Sequence, residues 1–387
     1  MVTSFDFVIF SIFGLVQWRI TRIWLARTVG WSASRRAAAR WGIIVCNVLL
    51  AVGCPFSASD QMARLGLTGT WVAVTGGAAL LYGMTATGAL AIYEISRWVS
   101  RRMGADTDPA RRRLIHTAGT ALMAAPFAAA GYGMFIGRLD LHVREQDIPL
   151  GGLPPDLEGL RILQLSDIHL SAFLSEAELA RVVDAALEFK PHLTVVTGDL
   201  ISGRGDPLDA CIRQLARLKA DAGVFGCMGN HERYAQAENY AQVAAGRVGI
   251  DFLRGAARQL RFGQATLNLA GVDYQSLAGG KKYLKGAERL VTPGAVNVLL
   301  SHNPDVFPVA VRQGYNFVIA GHTHGGQVTV EILDQSINAA RFFTPYIYGL
   351  YRQGGAAAYV TRGIGTIGVP ARIGAPPEIT LLRLRKA

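Results

Sequence analysis

Cysteine is scarce in this chain: four residues in 387, Cys46, Cys54, Cys211 and Cys227, leave no pair at zinc-knuckle spacing and exclude a disulfide framework. Cys46 and Cys54 fall in an apolar segment, Cys211 in a helical pattern and Cys227 in a strand pattern, so all four read as structural. A Cys211–Cys227 bond stays open only if the C-terminal part is exported. Charge is scarce as well. Charged residues make up 17% of the chain against 50% hydrophobic, and the mean hydropathy is +0.25, which argues that part of it lies in a membrane. Acids are fewer than bases, 28 against 39, giving a net charge of +11. In a soluble protein that excess would suggest nucleic acid. Here the cations cluster beside apolar segments, so membrane topology accounts for much of the excess and no nucleic-acid partner is expected. The chain also lacks an internal repeat, and it lacks an ionisable residue in the middle of its long apolar runs, which argues against transport.

Four apolar runs are present, Phe7 to Trp18, Trp41 to Phe56, Trp71 to Ile95 and Leu114 to Ile136. The last two are long enough for about 30 Å of hydrocarbon, the second is near the limit, and the first spans only by tilting, by snorkelling of Arg19 or by starting earlier despite Asp6. Residues 1–137 therefore read as a helical membrane region of three to four spans. Arg19, Arg22, Arg27, Arg35, Arg36 and Arg40 follow the first run without an acid. Arg97, Arg101, Arg102, Arg111, Arg112 and Arg113 follow the third against Asp106 and Asp108. The positive-inside rule places both connections in the cytoplasm, while Ser57 to Thr68, with only Asp60 and Arg64, suits the opposite side. Everything after Gly137 is then expected outside a bacterial inner membrane, on the periplasmic side. Arg111-Arg112-Arg113 ahead of an apolar run also fits a twin-arginine export signal, with ordinary anchoring as the plainer reading. Small residues at Gly76-Gly77-Ala78-Ala79 and from Gly83 to Gly88 suit close helix packing.

At Arg138 to Gly159 the pattern changes to alternation and a Gly-Gly-Leu-Pro-Pro stretch, so 138–159 reads as a linker with an opening strand. Beyond it, short apolar strands at Leu160 to Leu165, Leu193 to Thr197 and Val224 to Met228 alternate with helical patterns at Ser175 to Phe189, Pro207 to Lys219 and Tyr234 to Arg247. Ser175 and Glu178 match a capping box. Strands are also expected at Gln264 to Ala270, Val296 to Leu300, Phe317 to Ala320 and Glu378 to Leu384. This is the pattern of an α/β sheet.

Just after five of these strands stand metal-seeking blocks: Asp167-Ile168-His169, Gly198-Asp199, Gly229-Asn230-His231-Glu232, Ser301-His302-Asn303 and Gly321-His322-Thr323-His324. Arg352 and Arg362 sit in two later Gly-rich stretches and are weaker candidates. Asp, Asn and His are the ligands a pair of divalent cations needs, and loops at the C-terminal strand edge are where open α/β sheets bind ligands. His116, His142 and His192 lie outside this set and read as structural.

In its order, the set of five blocks resembles the calcineurin-like metallophosphoesterase superfamily, over about Leu160 to Leu384. The phrases Gln164-Leu165-Ser166-Asp167-Ile168-His169, Gly321-His322-Thr323-His324-Gly325-Gly326-Gln327, Gly349-Leu350-Tyr351-Arg352 and Pro376-Pro377-Glu378-Ile379-Thr380 are similar to its bacterial subgroup with N-terminal membrane segments. The resemblance implies a four-layer αββα sandwich over residues 160–387. It puts Asp167, His169, Asp199 and His324 around one metal and Asp199, Asn230, His302 and His322 around the other, with Asp199 bridging cations roughly 3.5 to 4 Å apart. It implies in-line attack on phosphorus by a metal-activated water, with His231 as general acid to the leaving group. Mixed O/N ligation fits Mn, Fe, Zn or Co, and four histidines favour manganese or iron over magnesium.

The expected substrate is a phosphate mono- or diester, lipid-linked because of the membrane region. Arg204, Arg233, Lys281, Lys282 and Lys285 could meet phosphate, although solvated loop charge is the commoner reason for such residues. The strip of Phe342, Phe343, Tyr346, Tyr348 and Tyr351 could face lipid or cover the sheet. Relatives that split UDP-2,3-diacylglucosamine offer an alternative activity, against which the expected topology argues because that substrate is cytoplasmic. A non-catalytic metal-binding scaffold of a membrane complex is the other alternative. The oligomeric state is not legible.

Overall fold

The computed structural model describes residues 4–56, 69–102, 109–276, 283–332 and 335–387. Two compact units emerge, Met1–Ile136 with Gly368–Ala371, and Gly137–Ile367 with Arg372–Ala387.

The first unit contains helices α1 (Ser4–Arg27), α2 (Ala33–Phe56), α3 (Thr70–Arg102) and α4 (Pro109–Tyr132), the last continued by a wider turn at Gly133–Gly137. All four are long and apolar enough to cross a membrane, over Phe7–Arg27, Ala33–Phe56, Thr70–Arg102 and Arg113–Gly137. The short first run thus belongs to a full-length helix. Arg19, Arg22 and Arg27, expected in a connection, lie on α1 itself, because leucine, isoleucine and tryptophan continue between them at helical spacing. The connection 57–68 lies outside the described residues, as do Asp106 and Asp108. Small residues pack the bundle where expected: the Phe13 ring lies so close to Gly83 that a Cβ there would stand 2.5 Å from it.

The second unit is built on two six-stranded sheets. Its strands are β1 (His142–Leu150), β2 (Arg161–Leu165), β3 (Leu193–Thr197), β4 (Val224–Cys227), β5 (Ile250–Phe252), β6 (Ala256–Phe262), β7 (Ala265–Gly271), β8 (Val296–Leu300), β9 (Phe317–Ala320), the small hairpin of β10 (Val330–Ile332) and β11 (Gln335–Ile337), β12 (Gly349–Gln353), β13 (Ala356–Val360) and β14 (Glu378–Lys386). One sheet runs β1-β14-β2-β3-β4-β5 and the other β12-β13-β9-β8-β7-β6. Alternate residues of β2 show how the layers form. Ile162 joins a core shared with Val195, Leu267, Val298 and Ile319 of both sheets, whereas Leu163 and Leu165 face the other way into helices α5 (Glu176–Leu187), α6 (Leu208–Leu215) and α8 (Glu238–Arg247). A third core, with Leu299, Val318 and Ala358, packs the second sheet against α9 (Phe307–Gln313). The result is the helix–sheet–sheet–helix sandwich.

Ser175 caps α5 through the expected capping box with Glu178. The helix expected from Tyr234 to Arg247 is instead two, α7 (Asn230–Tyr234) and α8, because Gln236 takes a left-handed turn at φ 56°. All four cysteines are free thiols, so the Cys211–Cys227 bond is not made. The aromatic strip divides. Phe342 and Phe343 are 88% and 74% exposed, while Tyr346 packs edge-on against Phe307 and Tyr351.

Candidate metal centre

Parallel strands bring the five blocks to one edge. In the first sheet β2 is level with β3, Leu165 opposite Val196, and β3 with β4, Thr197 opposite Cys227. The loops that follow carry Asp167 and His169, Asp199, and Asn230 with His231. In the second sheet β8 and β9 pair with Leu300 opposite Ile319, and their loops carry His302, then His322 and His324. Gln164 fastens the two sheets just beneath this edge, its amide donating to the Thr197 hydroxyl at 2.9 Å and the Ala320 carbonyl at 3.0 Å.

The loops hold unusual backbone. Asp167, His169, Asp199, His322 and His324 all have left-handed φ values, 51°, 48°, 54°, 78° and 53°. Each such residue costs about 1–2 kcal/mol relative to ordinary backbone. The strain is held by bonds between loops: Asp167 N–H to Gly198 O, His169 N–H to Asp199 O, and Gly365 N–H to Asp167 O at 2.7 Å. Gly229 is required for a different reason, since a Cβ there would lie 2.0 Å from Asp199 Oδ1.

Three groups of side chains could each hold a metal ion: Asp167, His169 and His324; His169, Asp199 and His231; and Asp199, His302 and His322. Asp199 belongs to two of them. Its Oδ2 lies 3.4 Å from His169 Nε2 and 3.0 Å from His302 Nε2, and His169 Nε2 lies 3.1 Å from His324 Nε2. The structure therefore brings together every Asp and His of the five blocks. It also sets His231 within ligand reach of His169 and Asp199.

Asn230 adds a buried Oδ1 without a hydrogen-bond partner among the described residues, while the buried His302 Nε2 faces the Asp199 carboxylate at 3.0 Å. A buried polar atom left unpaired is costly, and one turned into a nest of carboxylates and imidazoles fits a cation. The imidazole tautomers agree. His302 Nδ1 sits 2.7 Å from the Thr197 carbonyl and His231 Nδ1 2.5 Å from the Ser202 carbonyl, so each directs an Nδ1 proton there and turns Nε2 toward the nest.

Charge is balanced within the nest. Burial opposes ionisation of Asp199, yet the His302 charge and hydrogen bonds from His169 and His302 overcome it and hold the carboxyl well below its usual range. Burial acts against a charged His302 too, but Asp199 and Asp167 raise it to about 10. Burial dominates at Asp167, which is raised. Burial, reinforced by the His302 charge, lowers His322 to about 3, and burial with the His169 and Arg372 charges pushes His324 far down, so both are neutral at neutral pH, the form in which an imidazole can bind a metal. His231 and His322 are the partly exposed members and mark the open side.

Three supporting residues stand out. Glu232 is fully buried and its carboxylate accepts from the N–H groups of Asp199 at 3.0 Å, Leu200 at 2.6 Å and Gly229 at 2.8 Å, clamping the two loops together. Glu232→Gln puts an amide N–H₂ against those donors. A loss of roughly 2 kcal/mol is expected, seen as a fall of about 4 to 8 °C in thermal unfolding of the full chain. Tyr274, just after β7, packs its ring 5.4 Å from His322 and 6.1 Å from His302. Burial pushes its hydroxyl up to about 12, keeping it neutral. Arg372 is fully buried and its side chain reaches the carbonyls of Gly365, His324, Ala375 and Arg362.

The remaining candidates fall outside the cluster. Arg352 is exposed on edge strand β12, and Arg362 stacks its guanidinium 3.9 Å above the Tyr348 ring. Arg204, Arg233 and Lys285 are exposed, Lys281 and Lys282 lie outside the described residues, and His192 accepts a backbone bond from Arg161.

Residues 160–326 match the sequence model of the family described as calcineurin-like phosphoesterase. A transmembrane protein with metallophosphoesterase domain from Danio rerio is 31% identical over 272 residues, 67% of this chain and 60% of that protein. The metallophosphoesterase YkuE of Bacillus subtilis is 29% identical over 283 residues, 71% of this chain and 97% of that protein. The phosphodiesterase YaeI of Escherichia coli is 28% identical over 233 residues, 58% of this chain and 82% of that protein. Relatives are thus both bacterial and eukaryotic, and the chain spans 60% of the length of the fish protein. Members of the family usually bind two divalent metals, and the three groups above are where this chain could hold them. Residues 160–326 of this chain thus carry a domain of the calcineurin-like phosphoesterase family.

Proposed function

We propose that this chain is a membrane-anchored, two-metal phosphoester hydrolase whose substrate is a lipid-linked phosphate mono- or diester. The observation that carries the reading is the convergence of seven donor side chains on one sheet edge, with the buried Asn230 Oδ1 beside them unpaired among the described residues. Asp167, His169, Asp199 and His324 would hold one cation, and Asp199, Asn230, His302 and His322 the other. Four imidazoles favour manganese or iron, with zinc also compatible. Such a pair, when bound, polarises a phosphoryl oxygen and lowers the pKa of water.

The chain's own residues then have distinct tasks. Asp199 is shared, since both its neighbours His169 and His302 reach the same oxygen. His231 is fixed by its Nδ1–H bond to Ser202 and by its backbone N–H to Asp199 Oδ1 at 2.9 Å. With Nδ1–H committed to the Ser202 carbonyl, Nε2 is the nitrogen that would take up a second proton and hand it to the leaving oxygen. Burial lowers its proton affinity, Asp199 offsets only part of that, and the negative charge of an arriving phosphate would raise it again. His231→Asn is expected to cut kcat about 10²-fold or more for an alkyl phosphoester and far less for a nitrophenyl ester, whose leaving group needs no proton. Equal losses for both would assign His231 to the metals instead.

The membrane setting rests on the four long apolar helices. Arginines around the α1–α2 connection and the end of α3 put those ends in the cytoplasm, so the catalytic unit lies on the extracytoplasmic face of a bacterial inner membrane. The exposed pair Phe342 and Phe343 suits an acyl chain or bilayer surface. The deciding experiment gives manganese-loaded full chain paired chromogenic mono- and diesters and a phospholipid panel. Turnover is expected, highest on a phospholipid. No turnover on any substrate with both metals bound would replace this reading with a non-catalytic scaffold.

A further inference from the structure

The helical unit contains a cavity of about 520 Å³ between α1, α3 and α4, and its lining is basic. Arg19, Arg22 and Arg27 project into it from α1, Arg97 and Arg101 from α3, and among the described residues no acid lines it. The spacing is regular. On α1 the lining positions are 19, 22, 23, 26 and 27, and on α3 they are 93, 97, 100 and 101, so each helix turns one continuous stripe toward the other.

Topology alone does not account for this. The positive-inside rule needs arginines at a helix end, and outward-facing side chains would satisfy it equally. Here five like charges face one another across a shared space, an arrangement that is unfavourable unless something negative sits among them. Glu94, beside the cavity, answers part of the charge, 2.6 Å from Arg19 and 3.9 Å from Arg97. Arg22, Arg27 and Arg101 have no carboxylate partner among the described residues. The guanidinium groups are nevertheless oriented. Arg27 and Arg97 both stack on the Tyr93 ring at 5.5 Å, and Arg27 Nη1 donates to the Thr120 hydroxyl at 2.5 Å.

We propose that this cavity is an anion site that takes a phosphate-bearing headgroup. Planar guanidinium forks held on an aromatic face match phosphate oxygens, and basic pockets between membrane helices on the cytoplasmic side are suited to anionic lipid heads. The site concerns the helical unit alone and stands whether or not the metal centre hydrolyses phosphoesters.

The test titrates the full chain in neutral detergent with short-chain phosphatidylglycerol, short-chain phosphatidylcholine and glycerol phosphate, reading bound adducts by native mass spectrometry. Phosphatidylglycerol is expected to bind and phosphatidylcholine not. Arg22→Gln with Arg101→Gln should weaken it about 30-fold, while Arg35→Gln with Arg40→Gln, which removes two charges outside the cavity, should leave it unchanged. Thermal unfolding without lipid verifies that both double variants fold. Glycerol phosphate binding as tightly, and lost in the same variant, would keep the site and make its source a soluble phosphate. Equal loss in both double variants, or equal binding of the two lipids, would overturn the proposal.

Discussion

Asp199→Asn lowers kcat by at least about 10³-fold on every phosphoester tested, and the bound metal falls from two ions per chain to one or none. Asparagine is the informative replacement because it keeps the shape and tolerates the left-handed backbone at φ 54°, where alanine would add strain. What it removes is the charge. Asp199 is the carboxylate that both His169 and His302 approach, and its second oxygen accepts the His231 N–H. An amide oxygen can still take that bond but cannot neutralise two cations. Metal content by elemental analysis and turnover on a chromogenic diester read the two consequences separately. A variant that keeps two metals and works within tenfold of the parent would remove Asp199 from the shared position.

The seven proposed ligands were legible because each follows a buried strand, and a polar residue at that place has few structural uses. Leu193 to Thr197, Val296 to Leu300 and Phe317 to Ala320 coincide with β3, β8 and β9 for the same reason: continuous apolar runs of four or five residues, closed by glycine or serine, have one reading. The edge strands β5 and β6 were not legible, β5 because three residues carry too little pattern and β6 because its largely exposed sequence matches loop as well as strand. On α1 the arginines disguised the helix, because hydropathy sees their charge and not the cavity they line. Glu232 was visible beside Asn230, but sequence could not tell a surface acid from a fully buried clamp. Tyr274 follows β7 by three residues, as ligands follow other strands, and its aromatic character concealed it. Arg372 left almost no signal. It lies 48 residues from His324 in an irregular segment, and only the folded chain places the two together.

That placement makes Arg372 the second residue with a large expected effect. Its guanidinium donates through Nε to Gly365 O at 3.0 Å, through Nη1 to His324 O at 3.3 Å and Ala375 O at 3.0 Å, and through Nη2 to Gly365 O at 2.6 Å and Arg362 O at 2.8 Å. Every N–H is thereby used, with no carboxylate among its hydrogen-bond partners within the described residues. Burial pulls its pKa down to about 10, still leaving it charged at neutral pH. With its protons committed, Nη2 stands 3.3 Å from His324 Nδ1 and places positive charge beside that ring, adding to the burial that keeps His324 neutral and ready to ligate. Arg372 is thus a positioning residue: it ties the His324 loop to Gly365, Arg362 and Ala375, and would act on a metal held by His324 through that ring. Arg372→Met is expected to weaken the metal at the Asp167, His169 and His324 group by about 10- to 100-fold, with the second metal nearly unaffected. Arg372→Lys, which retains the charge but not the fork, should recover only part of it. Calorimetric titration with manganese resolves the two binding steps, and thermal unfolding of the metal-free variants measures the packing loss alone. A lowered melting temperature with both metal affinities intact would reduce Arg372 to a purely structural tie, because unsatisfied carbonyls destabilise the fold without selecting one metal over the other.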